Sequence, residues 1–341
     1  MTTTTRSLFD EEFRLEKISS KKDPLERLNK YIDWEIFRPE LIKAFEKEHQ
    51  GAGGRPPYDY VLMFKILILQ RYYNISDEQT EYQILDRLSF MRFLGLGLKD
   101  KVPDCNTVWH YREVLTASGV IEKIFEIFTR QLEYQGLLVR EGSIVDASFV
   151  EVPRQRNNRE ENKEIKEGSI PDRFIENPNV LCHKDIEARW TKKNDKNYYG
   201  YKNHIKISIR SKFIEEYEVT PSNVHDSQPL PDLIDETNSG YELYGDSAYS
   251  GEVISKHLEE RTIINKIHEK GARYVKLSEE QIKSNHQKSR TRARVEHIFG
   301  FMKKCMSGLY IYTIGLRRAK TAVGLTNLTY NLFRYTQLVK T

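Results

Sequence analysis

Apolar residues recur at helical spacing through the first 135 positions of the chain. Tyr58 to Tyr73 is apolar on nearly every side and follows Pro56-Pro57, which predicts a core helix with proline in its first turn. From Asp77 to Leu94, the residues Leu85, Leu88 and Met91 fall three apart, and the run meets a stop at Gly95-Leu96-Gly97. Asn106 or Thr107 is placed to cap a third helix running through Leu115. Ile121, Ile124, Phe125, Phe128 and Leu132 mark a fourth, with Gly136 as its C-terminal stop.

The period then changes. Ser143 to Val150 is a short, mostly apolar run of β-formers. Tyr198 to Ile209 alternates, with Ile205, Ile207 and Ile209 on one face and Lys206 and Ser208 on the other. A Ser211-Lys212 turn leads into Phe213 to Val219, so these two runs read as a hairpin. Tyr241 to Gly245 and Thr262 to Ile267 are further strand candidates, and a long helical stretch runs from about Arg290 to the end. Glu151 to Asn197 is charged and lacks clear periodicity up to about Leu181, so Pro153 to Pro178 reads as an exposed insertion. The expected domains are a helical one over 1–136 and an α/β one over 137–341, divided near Gly136 to Gly142.

Composition narrows the class. With 38% hydrophobic and 30% charged residues, the 341-residue chain is expected to be a soluble globular protein. Its net charge is only +4, so an anionic partner must be met by local rather than global charge. Cys105, Cys182 and Cys305 are far apart and odd in number, which argues against a disulfide framework or a cysteine zinc site and fits a reducing compartment. The first residues lack the apolar core of a signal peptide. The most apolar stretch, Tyr60 to Leu69, is half of the roughly 20 residues that span a membrane. A cytoplasmic location is therefore expected.

Candidate chemistry sits in three places. Asp146 is a carboxylate inside an apolar strand, costly to bury unless paired, hydrogen-bonded or on a metal. Taken singly, it fits a strand-end aspartate satisfied by backbone donors equally well. Asp246 lies at a strand-to-helix junction, where the ordinary role of aspartate is N-capping. Arg292, Glu296 and Lys303 share one helical stripe, with Glu296 about 40° and Lys303 about 20° from Arg292. That stripe borders an apolar face of Val295, Ile298, Phe299 and Met302, and its ordinary reading is a solvated ion pair four residues apart. Taken together, the three carboxylates are hard oxygen ligands suited to Mg²⁺ or Mn²⁺. A pair of such ions can activate an attacking oxygen and stabilise the leaving oxygen of a phosphodiester. Asn265 to Lys304 carries 11 Lys and Arg against 4 Glu. Lys192, Lys193, Lys196, Lys202 and Lys206 interleave with Trp190, Tyr198, Tyr199 and Tyr201, a mixture suited to phosphate contacts and base stacking.

The ordered set of motifs resembles the DDE transposases of bacterial insertion sequences, and is most similar to insertion-sequence family five. It consists of Val145-Asp146-Ala147-Ser148, Lys192-Lys193 through Tyr199-Gly200-Tyr201-Lys202-Asn203-His204, Asn223-Val224-His225-Asp226-Ser227, Gly245-Asp246-Ser247-Ala248-Tyr249, and Arg292-x3-Glu296-x6-Lys303. The likeness covers about Tyr58 to Phe333, with one departure: the related signature has Tyr three residues before the Arg, where this chain has Ser289. The resemblance implies a ribonuclease-H-like mixed five-stranded sheet flanked by helices, preceded by an all-helical domain that recognises the element's ends. It implies Asp146, Asp246 and Glu296 as catalytic triad and ligands of two Mg²⁺ ions, with Mn²⁺ able to substitute. Arg292, Lys303, Lys192, Lys193 and Lys202 would then contact phosphate. The implied partners are the terminal inverted repeats, target DNA and further copies of the chain, in the bacterial cytoplasm at the nucleoid, with no membrane involved. His225 and Asp226 follow a strand where a helix start is as plausible as catalysis, and they stay outside the triad. Three alternatives remain at this level: a metal-dependent nuclease that cuts without joining, a domesticated DNA-binding protein, and a small-molecule phosphohydrolase.

Overall fold

The computed structural model describes residues 9–46, 56–235, 238–271, 276–306 and 309–339. The chain divides into two compact units, residues 1–127 with 332–341, and residues 128–331.

The first unit is helical. Its elements are α1 (Asp10–Ser20), α2 (Pro24–Tyr31), α3 (Arg38–Phe45), α4 (Tyr60–Tyr73), α5 (Asp77–Asp86), α6 (Leu88–Leu94), α7 (Cys105–Ser118) and the start of α8 (Val120–Tyr134). The prolines before α4 lie outside the helix, which is capped instead by the Asp59 side chain accepting from the Leu62 N–H. The expected single helix over Asp77 to Leu94 is two, because Arg87 is extended at φ −108° and ψ 112°. There the Arg87 guanidinium lies over the rings of Tyr73 and Phe90. The cap of α7 is Asp104, not Asn106 or Thr107, and Gly119 closes it in the left-handed conformation. In the core of this unit Trp34 meets Phe37, Phe64 and Phe93 edge to face, and the rings of Phe37 and Phe64 are tilted against each other.

The second unit holds a mixed sheet of β1 (Ser143–Glu151), β2 (Arg189–Lys193), β3 (Lys196–Ser208), β4 (Ile214–Pro221), β5 (Glu242–Tyr244) and β6 (Ile264–Asn265). β3 runs antiparallel to β1 on one edge and to β2 and β4 on the other, while β1, β5 and β6 are parallel. The order β4-β3-β1-β5-β6 is the ribonuclease-H-like arrangement. The sheet has six strands rather than five, because β2 adds an edge strand within the segment expected to be an insertion. Helices α9 (Arg159–Glu167), α10 (Asp172–Glu176) and α11 (Pro178–Leu181) occupy the rest of that segment. It is therefore built rather than loose: an Asn158–Glu161 capping box starts α9, and Ile165 and Phe174 are buried.

After α12 (Leu230–Leu233) and α13 (Glu252–Glu260), the expected single C-terminal helix is two, α14 (Glu279–Cys305) and α15 (Leu316–Leu338). The intervening chain pairs with the end of β1 through Leu309 and Ile311 on either side of Glu151. The start of α15 is held from the insertion: Glu187 accepts from the Leu316 N–H and Asp185 from the Gly315 N–H. Asp185 is buried and also accepts the Tyr201 hydroxyl. α15 packs Ala319, Ala322 and Val323 on Val150, Tyr199, Tyr201 and Val219, whereas Tyr249, Leu258 and Ile263 cluster with Val145 and Leu243. Position 200 takes glycine because its φ is +141° and a Cβ there would run into the Val150 carbonyl.

Candidate active site

Asp146 and Asp246 are brought together by strand register. Ile144 pairs with Tyr244 in the parallel β1–β5 ladder, which brings the residues two further on in each segment close enough for the charge of Asp246 to act on Asp146. Asp146 Oδ1 accepts from the Ala147 N–H at 2.8 Å. Asp246 lies just past β5 and caps a 3₁₀ turn, Ser247–Tyr249, its Oδ1 accepting from the Ala248 N–H at 2.8 Å. The capping role is thus real, yet it occupies one oxygen. Among the described residues, neither Oδ2 accepts a hydrogen bond.

α14 packs across β1 and β5. Arg292 on this helix brings its Nε to 4.0 Å from Asp146 Oδ2, and that Nε is buried without a hydrogen-bond partner. The distance is too long for a hydrogen bond. The Asp146 side chain is only 17% exposed. Burial pushes its carboxyl up to about 6, the charge of Asp246 adds to the rise, and Arg292, the Ala147 N–H and Lys193 pull it down. Two neighbouring carboxylates that repel each other, each with a free oxygen, suit a hard divalent cation. Glu296 lies one turn beyond Arg292, on the exposed side of α14. Among the described residues, no group of three His, Cys, Asp or Glu side chains stands close enough to enclose a metal. The structure therefore gathers Asp146, Asp246 and Arg292, and leaves Glu296 and Lys303 exposed on the same helix.

The other basic and aromatic residues separate into two sets. Lys192, Lys193 and Lys196 are exposed around the β2–β3 turn, and Trp190 is exposed on β2. Tyr199 and Tyr201 are core residues, not stacking surfaces. Lys206 is fully buried, donating to Asn238 at 3.1 Å and 4.0 Å from Glu215. Lys202 is buried too, its ammonium donating at 2.6 Å to both Asp226 and the Val224 carbonyl. Alternation places Lys206 on the non-isoleucine face correctly, but both faces of this central strand are covered, so Lys206 is not available for the phosphate contact that composition suggested.

Tyr249 was absent from the sequence-derived candidates. It is fully buried, and its hydroxyl has no hydrogen-bond partner. Burial and the charges of Asp146, Asp226 and Asp246 keep it protonated well above the ordinary tyrosine range. The only sequence signal was its place in Gly245-Asp246-Ser247-Ala248-Tyr249. At the position of the missing tyrosine, the Ser289 hydroxyl donates to the Asn285 carbonyl and lies 3.4 Å from His268 Nε2.

Residues 138–332, more than half of the chain, match the family model described as a transposase DDE domain. The chain belongs to the transposase DDE domain family. Residues 13–114 match a second model, described as a transposase domain (DUF772). The transposase is also similar to solved structures. One is the piggyBac transposase synaptic complex with hairpin DNA, at 14% identity and TM-score 0.47, covering 93% of this chain and 75% of that one. Another is the Mos1 transposase paired-end complex with left transposon end, at 11% identity and TM-score 0.20, covering 80% of this chain and 86% of that one. Transposases of this family generally work with divalent metal ions. Among the described residues of this transposase, no helix is long and apolar enough to cross a membrane.

Proposed function

We propose that this transposase cleaves phosphodiester bonds at the terminal inverted repeats of a bacterial insertion sequence and joins the resulting 3′-OH ends to target DNA. The observation that carries the reading is the nearness of Asp146 on β1 and Asp246 just past β5, with Arg292 beside Asp146 and, among the described residues, one oxygen of each aspartate without a hydrogen bond. Asp146, Asp246 and Glu296 are the residues that would hold two Mg²⁺ or Mn²⁺ ions. When bound, such ions supply positive charge to the attacking and leaving oxygens of an in-line displacement. Arg292 is set to neutralise a phosphate oxygen as the phosphodiester meets the aspartates, and Lys303 to hold the backbone two turns further along. In the first step water attacks phosphorus and the 3′ oxygen leaves. In the second, that 3′-OH attacks the phosphorus of a target phosphodiester, and the target strand's 3′ oxygen leaves. Residues 1–136 recognise the ends, and two or more copies hold the ends together on the nucleoid.

The test is a paired assay on DNA carrying the element's ends. Asp146→Asn, Asp246→Asn and Glu296→Gln are each expected to abolish Mg²⁺-dependent cleavage while end binding persists. Near-normal cleavage by any of them removes that residue from the set. A pre-cleaved end separates the readings further, because strand transfer identifies a transposase and cutting without joining identifies a nuclease.

A further inference from the structure

The backbone pairing of β5 with β6 runs past the ends of both strands. The N–H groups of Ile264, Lys266 and His268 donate in turn to the carbonyls of Tyr241, Leu243 and Gly245, at 2.9, 2.9 and 3.1 Å. The bonds advance two residues at a time on each side, so the register that pairs Glu242 with Ile264 continues and sets His268 opposite Asp246. Asp146, Asp246 and His268 thus come from three neighbouring parallel strands, at the level where β5 and β6 end. The His268 ring turns toward α14, its Nε2 3.4 Å from Ser289 Oγ. Ser289 lies one turn before Arg292, the residue that approaches Asp146 from the same helix. The backbone around His268 is fixed to that helix as well: Lys288 donates to the Ile267 carbonyl at 3.0 Å, and Asn285 exchanges two 3.0 Å hydrogen bonds with the Glu269 backbone. The imidazole itself is held weakly. Ser289 gives its hydrogen to the Asn285 carbonyl at 2.8 Å, so its contact with His268 needs the proton on Nε2, and 3.4 Å is long for such a bond. Among the described residues the ring makes no other hydrogen bond, and it is half-buried. Burial and the charges of Arg292 and Lys288 hold its pKa below the ordinary histidine range, which favours an uncharged N–H donor.

We propose that His268 is a further substrate-contacting residue of this transposase, whose Nε2–H leaves Ser289 and donates to a non-bridging oxygen of the phosphodiester held at Asp146 and Asp246. The proposal rests on the reading of the aspartates as the phosphodiester site. Neighbouring strands lie about 4.8 Å apart, so a phosphate seated between the aspartates is within reach of an imidazole one strand further on. Arg292 approaches from the Asp146 side and His268 from the Asp246 side. A phosphodiester under in-line attack carries charge on both non-bridging oxygens, and donors fixed in advance on two sides of it stabilise that charge. The serine at 289 belongs to the same arrangement, because a larger side chain there would collide with the imidazole.

The test measures single-turnover cleavage of end DNA by the full chain in Mg²⁺, with thermal melts of each variant. His268→Leu removes the donor and is expected to slow cleavage roughly tenfold to hundredfold, the loss of one hydrogen bond to a charged oxygen. His268→Gln carries an amide N–H close to the place of Nε2 and is expected to recover most of the rate. His268→Asn, whose amide reaches only the place of Nδ1, is expected to stay slow. Ser289→Ala removes only the weak acceptor and should cleave at the wild-type rate. If His268→Leu does not fold, the difference between the Gln and Asn variants decides. A folded His268→Leu protein that cleaves like wild type, equal rates for Gln and Asn, or a Ser289→Ala loss as large as that of His268→Leu each overturns the proposal. A wild type that cuts no end DNA refutes the phosphodiester reading and this proposal together, whereas cleavage indifferent to His268 refutes this proposal alone.

Discussion

Replacing Asp146 with Asn should stabilise the metal-free protein while destroying its activity. The Asp146 carboxyl is raised from the ordinary 3.8 to about 6 by burial and by Asp246. The folded chain thus binds this proton more tightly than the unfolded chain, and stability falls as pH rises from about 4 through 6. At about 1.4 kcal/mol per tenfold change in acidity, the ionised group costs about 3 kcal/mol at pH 8 and about half of that at pH 5. Arg292, at 4.0 Å without a hydrogen bond, already contributes its attraction to that balance. Asn keeps the shape and the oxygen that accepts from the Ala147 N–H, and it carries no charge. Asp146→Asn should therefore gain up to about 3 kcal/mol at pH 8 in EDTA, a rise in melting temperature of roughly 5–10 °C. Thermal melts of both proteins at pH 8 and pH 5 measure this, and Mg²⁺ titration should then raise the wild type selectively. A variant less stable than wild type at pH 8, or a gain that does not shrink at pH 5, refutes the argument.

Other variants test neighbouring assignments. Arg292→Ala and Lys303→Ala should weaken cleavage and lower the salt dependence of DNA binding by about one phosphate contact each. Arg294→Ala should be far milder in cleavage, because Arg294 donates to the Ile209 carbonyl rather than facing the aspartates. Lys202→Met should lower stability by about 2–4 kcal/mol by stranding Asp226, whose side chain is 13% exposed, and a second change, Asp226→Leu, should recover much of that loss in urea denaturation. Tyr249→Phe removes a buried hydroxyl that has no partner, so the metal-free protein should melt at the same temperature or higher.

Elements whose signals are local were readable in the sequence. β1 and the β3–β4 hairpin are continuous runs of β-formers broken by a turn at Lys212, whose φ is 61°. α8 shows the helical period and ends near Gly136, at φ +68°. What was missed depends in part on distant residues. The parting of α14 and α15 did carry a local signal, a β-former run from Leu309 to Ile314 between Gly308 and Gly315 that the helical reading passed over; what lay out of local sight is that Asp185 and Glu187, about 130 residues earlier, complete the first turn of α15. Likewise β2 is a strand through its pairing with β3; its own sequence, Arg-Trp-Thr-Lys-Lys, lacks the aliphatic residues that would signal burial.

The site shows the same division. Asp146 stood out as a candidate because a carboxylate inside an apolar strand is expensive, and Asp246 because it lies at a strand-to-helix junction, where the structure gives it the capping role. The assignment of Lys202 to phosphate contact followed composition, and the structure gives that ammonium a buried carboxylate instead. The distinction was not available locally, since Lys193 and Lys202 are both lysines on a strand beside aromatic residues. What separates them is their neighbours across the sheet. Lys202 has β1 and β4 on either side and Asp226 within reach, whereas Lys193 sits at the end of an edge strand and faces solvent. An edge strand ending in a tight turn can offer charge to a polymer passing over it; a central strand must satisfy its charges internally. Lys192, Lys193 and Lys196 at the β2–β3 turn accordingly face solvent, as do Lys303 and Lys304 on α14.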